Sequence, residues 1–115
     1  MGKSVLVVDD EDVIREFLAD ILISAGYIVT EAHDGLAALE AVERNRPSVV
    51  LTDVRMPRLD GVGLVERLRA RGDDVPVVFM TAHFRASPIP GVPLVPKPFD
   101  FDRLLATVAG ATACA

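Results

Sequence analysis

Two kinds of apolar pattern alternate along this chain. Val5-Leu6-Val7-Val8, Val49-Val50-Leu51 and Val77-Val78-Phe79-Met80 are short unbroken runs, the form expected of strands covered on both faces. The segments between them space their apolar residues by three and four, as helices do. Val13, Ile14, Phe17, Leu18, Ile21, Leu22 and Ala25 draw one stripe on a helix starting near Asp12, which Gly26 ends. Tyr27 to Ala32 reads as a second strand, and Asp34-Gly35 as a turn or cap before a helix with Leu36, Leu39 and Val42 inward, closed by Pro47. A helix from about Val62 to Arg71 turns Leu64, Val65 and Leu68 toward the sheet and breaks at Gly72-Asp73-Asp74. The last helix carries Phe101, Leu104, Leu105 and Val108 at core spacing, with Asp100 as its cap. Strand and helix in alternation predict an α/β fold, a parallel sheet with helices on both faces.

The alternation falters once. Between the strand Pro76 to Met80 and the next, about Val92 to Val95, stand Pro88, Pro90, Gly91 and Pro93, and only Ala82 to Ser87 is free of helix breakers. A full helix cannot form there, so the fourth crossover is expected to be short and irregular. Apolar strand surface near Val77, Phe79, Val92 or Leu94 would then lack a cover, which would favour a partner or a homodimer contact through this region.

The 115 residues, half of them hydrophobic, suit a single domain over 1–115. A net charge of -5 argues against direct nucleic-acid binding, which draws mainly on Lys and Arg. Cys114 is the only cysteine, so no internal disulfide forms and a cytoplasmic location is the default. Beside the C-terminus, it reads as a tolerated tail residue before a redox or lipidation site. No apolar stretch is long enough to span a bilayer and no signal-peptide pattern precedes the first strand, so no membrane association is expected.

Chemistry-bearing residues gather where the strands end. Asp9-Asp10 follow the first strand, Asp53 the third, Thr81 the fourth and Lys97 the fifth. In a parallel sheet these carboxyl ends share one edge, and residues distant in sequence converge there. Three carboxylates, a hydroxyl and an ammonium in one cleft fit a hard divalent cation and a phosphoryl group. Mg²⁺ takes oxygen ligands and commonly binds through one or two carboxylates together with phosphate oxygens; Mn²⁺ shares the preference and is a substitute. A carboxylate is a poor nucleophile toward an anionic phosphoryl group until a cation neutralises the approaching oxygens. Asp10 and Asp53 are the expected direct ligands, with Asp9 acting directly or through water, and Asp53 is also the nucleophile. Lys97 would pair with one phosphoryl oxygen and Thr81 donate to another.

Taken singly, each of these residues has a plainer reading. Strand-end aspartates cap helices, Thr81 is a β-branched strand residue, and Lys97 is a lysine beside a proline turn. The combination is harder to dismiss, since Lys3 and Lys97 are the only lysines beside ten arginines. Asp60 and Gly61 read as turn residues, Gly61 supplying a backbone conformation that a side chain resists, while Met56-Pro57 shapes the loop. His33 and His83 lack metal-ligand spacing and read as surface histidines.

Over nearly its whole length the chain resembles the receiver domain of two-component response regulators. The likeness rests on Asp9-Asp10, the segment D-x-x-M-P-x-x-D-G from Asp53 to Gly61, Thr81-Ala82 and Lys97-Pro98-Phe99, weak one by one but specific in order and placement. It implies a flavodoxin-like, doubly wound five-stranded parallel sheet of order 2-1-3-4-5. It also implies Asp53 as phosphoacceptor and the backbone carbonyl of Arg55 as a further metal ligand. The donor would be a histidine kinase or histidine phosphotransfer protein, with an unidentified protein downstream. Such a phosphoacceptor is no enzyme beyond its own phosphorylation and dephosphorylation. Arg55 and His83 would flank the entrance to the phosphoryl group and tune its lifetime.

Two departures touch the output. Receivers carry a full fourth helix and a Tyr or Phe three residues before the lysine, where this chain has Ala86-Ser87-Pro88-Ile89-Pro90-Gly91 and Leu94. Phosphorylation chemistry is expected to survive, whereas the aromatic switch cannot operate. No effector domain follows the last helix, so a phosphate shuttle or sink, or the receiver fragment of a hybrid kinase, stands as an alternative to a signalling module acting on a separate partner. A small phosphohydrolase with an aspartyl-phosphate intermediate is more distant: the haloacid-dehalogenase type would want Asp where Arg55 stands. A nucleotide-binding module would want a Gly-rich turn in place of Asp9-Asp10-Glu11.

Overall fold

The computed structural model describes residues 2–82 and 86–113; His83 and Cys114 lie outside them. The elements run β1 (Ser4–Val8), α1 (Asp12–Ser24), β2 (Ile28–Ala32), α2 (Gly35–Arg44), β3 (Val49–Asp53), α3 (Gly61–Ala70), β4 (Val77–Thr81), β5 (Leu94–Pro96) and α4 (Phe101–Ala113). The strands are parallel and ordered β2-β1-β3-β4-β5, the doubly wound arrangement expected. β3 and β4 run on through Asp53 and Thr81, so these polar residues belong to the strands themselves. β5 begins at Leu94, later than the expected Val92.

Alternation of side chains along each strand divides the core into two layers. Leu6, Val8, Val50, Val77 and Phe79 meet Ala38, Leu39 and Val42 of α2 and Leu64, Val65 and Leu68 of α3. Val5, Val7, Val49, Leu51, Val78, Met80 and Val95 meet Leu18 and Leu22 of α1 and Leu104 and Val108 of α4. β3 and β4 are buried along their entire lengths, and with helices on both faces their sequences have no reason to alternate. β2, at the sheet edge, exposes Ile28, Thr30 and Glu31.

The helical stripes are wider than the faces the sheet covers. Val13 and Phe17 on α1 are 79% and 49% exposed, and Leu36 and Phe101 are exposed as well, against the inward placement their spacing predicts. A flat layer touches only the strip around Leu18 and Leu22, and Ala19 joins it; residues at the stripe margins reach past it. Phe17 and Phe101 pack edge-on against each other, ring centroids 5.7 Å apart.

Between β4 and β5 no helix occurs among the described residues, in keeping with the prolines. Ser87 Oγ donates to the Ile89 carbonyl at 2.8 Å, and Gly91 turns the chain with φ 86°, a conformation side chains disfavour. The uncovered strand face expected from the missing helix is not found. Val77 and Phe79 are 4% and 0% exposed, because Ile89, Val92 and Leu94 pack on the same core layer in the place of a helix. Val92 and Leu94 themselves stay half-buried.

Candidate functional site

All five parallel strands end on one edge of the sheet, and four of them deliver a functional group there. Asp9 extends β1 by one rung, its N–H donating to the Ala32 carbonyl at 3.2 Å, and it is fully buried. Its Oδ1 accepts the Glu11 N–H at 2.9 Å. Burial pushes the Asp9 carboxyl above its usual range; the Glu11 N–H and the charge of Lys97 pull the other way without prevailing, and Asp53 adds to the rise. Asp53, buried at the end of β3 and paired with Met80, accepts the Arg55 N–H on Oδ1 at 3.3 Å.

Lys97 reaches in from the end of β5. Its Nζ lies 2.9 Å from Asp53 Oδ2 and 3.3 Å from Asp9 Oδ2. Burial works against its charged form, yet the hydrogen bond and charge of Asp53, joined by Asp9, outweigh it and hold the ammonium above the ordinary lysine range. Asp10 stands exposed at the mouth. Carboxylate oxygens of Asp9, Asp10 and Asp53 lie within 4.8 Å of one another; Asp10, Asp53 and Lys97 line a cleft of about 230 Å³ together with Glu11, Ile14, Arg55 and Ala82. Thr81 is buried as the last residue of β4, one position after Met80, the partner of Asp53.

Three carboxylates thus face one ammonium. Like charges held this close repel most where water is scarce, and hard oxygen donors with charge in excess are the donor set a divalent cation of the Mg²⁺ type takes. The sheet brings Asp9, Asp10, Asp53 and Lys97 together, and Thr81 joins them through its main chain, its carbonyl accepting the Lys97 N–H at 3.0 Å. His33 does not join them: it is exposed, with Nε2 3.4 Å from Asp34 Oδ2.

The loop after β3 folds back on the strand it leaves. Gly61 N–H donates to the Val54 carbonyl at 2.9 Å, and a Cβ at Gly61 would stand 2.5 Å from the Asp53 carbonyl oxygen and 3.1 Å from the Phe79 ring. Close approach requires this glycine. The special backbone conformation expected of it is absent, since its φ is not positive. Asp60 is the N-cap of α3, accepting the Gly63 N–H at 2.8 Å. Arg58 adopts φ 70° and donates to Asp34 Oδ2 at 3.0 Å, tying the loop to the N-cap of α2.

Two residues support the site from outside it, Asp34, read from sequence as a turn or cap and found as the N-cap of α2, and Arg15, which carried no motif. Asp34 is buried beneath Arg58, and Arg15 on α1 donates from Nη1 to the Asp9 carbonyl at 2.8 Å. The one hint of Arg15 was its charge amid an apolar stripe, three residues after Asp12.

The family model for the response regulator receiver domain matches residues 5–109. The response regulator MprA of Mycobacterium ulcerans is 42% identical over 112 residues, covering 92% of this chain and 48% of the relative. That of Mycobacterium tuberculosis H37Rv is 41% identical, covering 92% and 49%. The chain therefore spans about half the length of the curated relatives it matches. Among solved structures, a response regulator described from Chloroflexus aurantiacus superposes with TM-score 0.89 at 30% identity, covering 98% of this chain and 99% of that one. The chemotaxis protein CheY4 of Vibrio cholerae does so with TM-score 0.86 at 30% identity, covering 96% and 99%. The chain belongs to the receiver-domain family of two-component response regulators.

Proposed function

We propose that the chain is a phosphorylation-dependent signalling module. Asp53 accepts a phosphoryl group from the phosphohistidine of a histidine kinase or histidine phosphotransfer protein, with Mg²⁺, or Mn²⁺ in its stead, as the cation. The observation that carries this reading is the Lys97 ammonium held between Asp53 and Asp9 in a cleft whose carboxylates outnumber it.

Asp9, Asp10 and Asp53, with the carbonyl of Arg55, hold the cation in this reading, and the cation supplies charge neutralisation at the phosphoryl oxygens. A carboxylate oxygen of Asp53 forms the new O–P bond as the donor's N–P bond breaks, and the imidazole leaves with that electron pair. Lys97 exchanges a carboxylate oxygen for a phosphoryl oxygen, and the Thr81 hydroxyl donates to another. Both adjustments act on the ends of β4 and β5, where a downstream protein would read the change. The chain turns over no separate substrate and is no enzyme in this sense. A cytoplasmic location goes with the reading. The same residues would serve a phosphate shuttle or sink, or the receiver of a hybrid kinase.

Incubation with acetyl phosphate and Mg²⁺, read by intact mass, tests the proposal. The wild type should gain the mass of one phosphoryl group, Asp53→Asn none, and Asp10→Asn should label more slowly at equal Mg²⁺. Undiminished labelling of Asp53→Asn, or labelling that persists in excess chelator, would sink it.

A further inference from the structure

Arg15 stands one turn into α1, and a helical side chain leans back toward the N-terminus of its helix. Its guanidinium is brought in this way against the peptide joining Asp9 to Asp10. The side chain is 14% exposed, and every nitrogen is engaged. Nη1 donates to the Asp9 carbonyl at 2.8 Å, Nε to Glu31 Oε1 on β2 at 3.1 Å, and Nη2 to Asp12 Oδ1 at 2.7 Å. The Asp9 carbonyl and the Asp10 N–H share one rigid plane. With the Asp9 N–H bound to Ala32 and its carbonyl bound to Arg15, the main chain is fixed on both sides of the Asp9 Cα. That fixes the direction in which Asp10 leaves β1.

The charge of Arg15 is already met by the carboxylates of Asp12 and Glu31. What it offers the cleft is the geometry of its planar fork. We propose that Arg15 is a positioning residue for the cation site, orienting the Asp9–Asp10 peptide so that the Asp10 carboxylate meets those of Asp9 and Asp53. The inference rests on the metal reading above.

Charge and geometry predict opposite signs. Acting by charge, Arg15 would repel a cation, and its removal would strengthen Mg²⁺ binding; acting by position, its removal weakens it. Calorimetric Mg²⁺ titration of the full chain separates the two in wild type, Arg15→Ala, Arg15→Lys and Arg46→Ala. Arg46, just before β3 and paired with Asp73 and Asp74 before β4 at the other end of the sheet, controls for the loss of one positive charge. Arg15→Ala should bind roughly tenfold more weakly, in the range seen for residues that orient metal ligands. Arg15→Lys, with the charge but not the fork, should also be weaker, and Arg46→Ala unchanged. Acetyl phosphate labelling of both Arg15 variants should reach the wild-type rate at saturating Mg²⁺, with only the Mg²⁺ midpoint raised. Unchanged or tighter Mg²⁺ binding by either Arg15 variant overturns the proposal, as does a labelling rate that stays low at saturation. Should Arg15→Ala fail to fold, Arg15→Lys decides. A wild type that binds no Mg²⁺ overturns the metal reading itself, so the two failures are distinct.

Discussion

Gly61 and Gly63 lie on the same turn of α3 and answer different needs. A Cβ at Gly61 runs into the backbone of Asp53, whereas one at Gly63 meets Leu59 Cδ1 at 2.6 Å, the far end of a side chain that can move. Gly61→Ala should therefore cost about 1–3 kcal/mol, as overpacking does, and slow phosphorylation by displacing Asp53. At Gly63 the gain of about 1 kcal/mol for alanine over glycine in a helix offsets the shift of Leu59, so Gly63→Ala should be near neutral. Urea unfolding of both variants checks this, and equal losses would contradict it. Asp34 gives a pH dependence. The Ala37 N–H lowers its pKa, burial opposes, and Arg58 and His33 add to the lowering. Ionised Asp34 thus contributes stability that is fully present above the unfolded value of about 3.9 and is lost as pH falls through the depressed folded value. Asp34→Asn retains a capping oxygen but not the charge. Its stability deficit against wild type, from urea midpoints, should be constant near neutrality and close in acid; a deficit that widens on acidification would refute the account.

At the scale of elements, the β4–β5 crossover is where the alternation of strand and helix breaks off among the described residues. Its ends are bonded across β4 and β5: Lys97 N–H donates to the Thr81 carbonyl at 3.0 Å, and Phe79 N–H to the Pro93 carbonyl at 2.8 Å. Ile89 and Val92 pin it to the core, as does Leu94 at the start of β5. A shift of Thr81 and Lys97 on phosphorylation should loosen or tighten this segment before any helix. Hydrogen exchange with and without beryllofluoride should show the largest change among the amides of residues 86–94. Changes confined to α1 or α3 would mean that the signal leaves by another face.

For the molecule as a whole, gathering three carboxylates on one sheet edge sets local repulsion against the burial that holds the fold. A cation that binds only the native state adds stability by mass action, about 2.7 kcal/mol at a hundredfold excess over Kd. The thermal midpoint should therefore rise with Mg²⁺ and fall back on chelation. Asp10→Asn should raise the metal-free midpoint by relieving repulsion and flatten the response to Mg²⁺. A wild-type midpoint indifferent to Mg²⁺ would count against the cation site.

The α/β architecture with helices on both faces of a parallel sheet and the convergence of Asp9, Asp10, Asp53 and Lys97 were legible in the sequence. Both follow from local rules: periodicity separates strand from helix, and parallel strands must bring their carboxyl ends to one edge. Contacts between surfaces do not follow from such rules. The pattern marked Val13, Phe17 and Leu36 as apolar without saying that the sheet stops short of them. It showed that a helix was missing after β4 and not that Ile89, Val92 and Leu94 would cover Val77 and Phe79. The need for glycine at 61 and the grip of Arg15 on Asp9 likewise exist only once β3 has its returning loop and α1 lies against β1 and β2. Sequence periodicity orders residues along one element, while these facts are distances between elements, which packing alone sets.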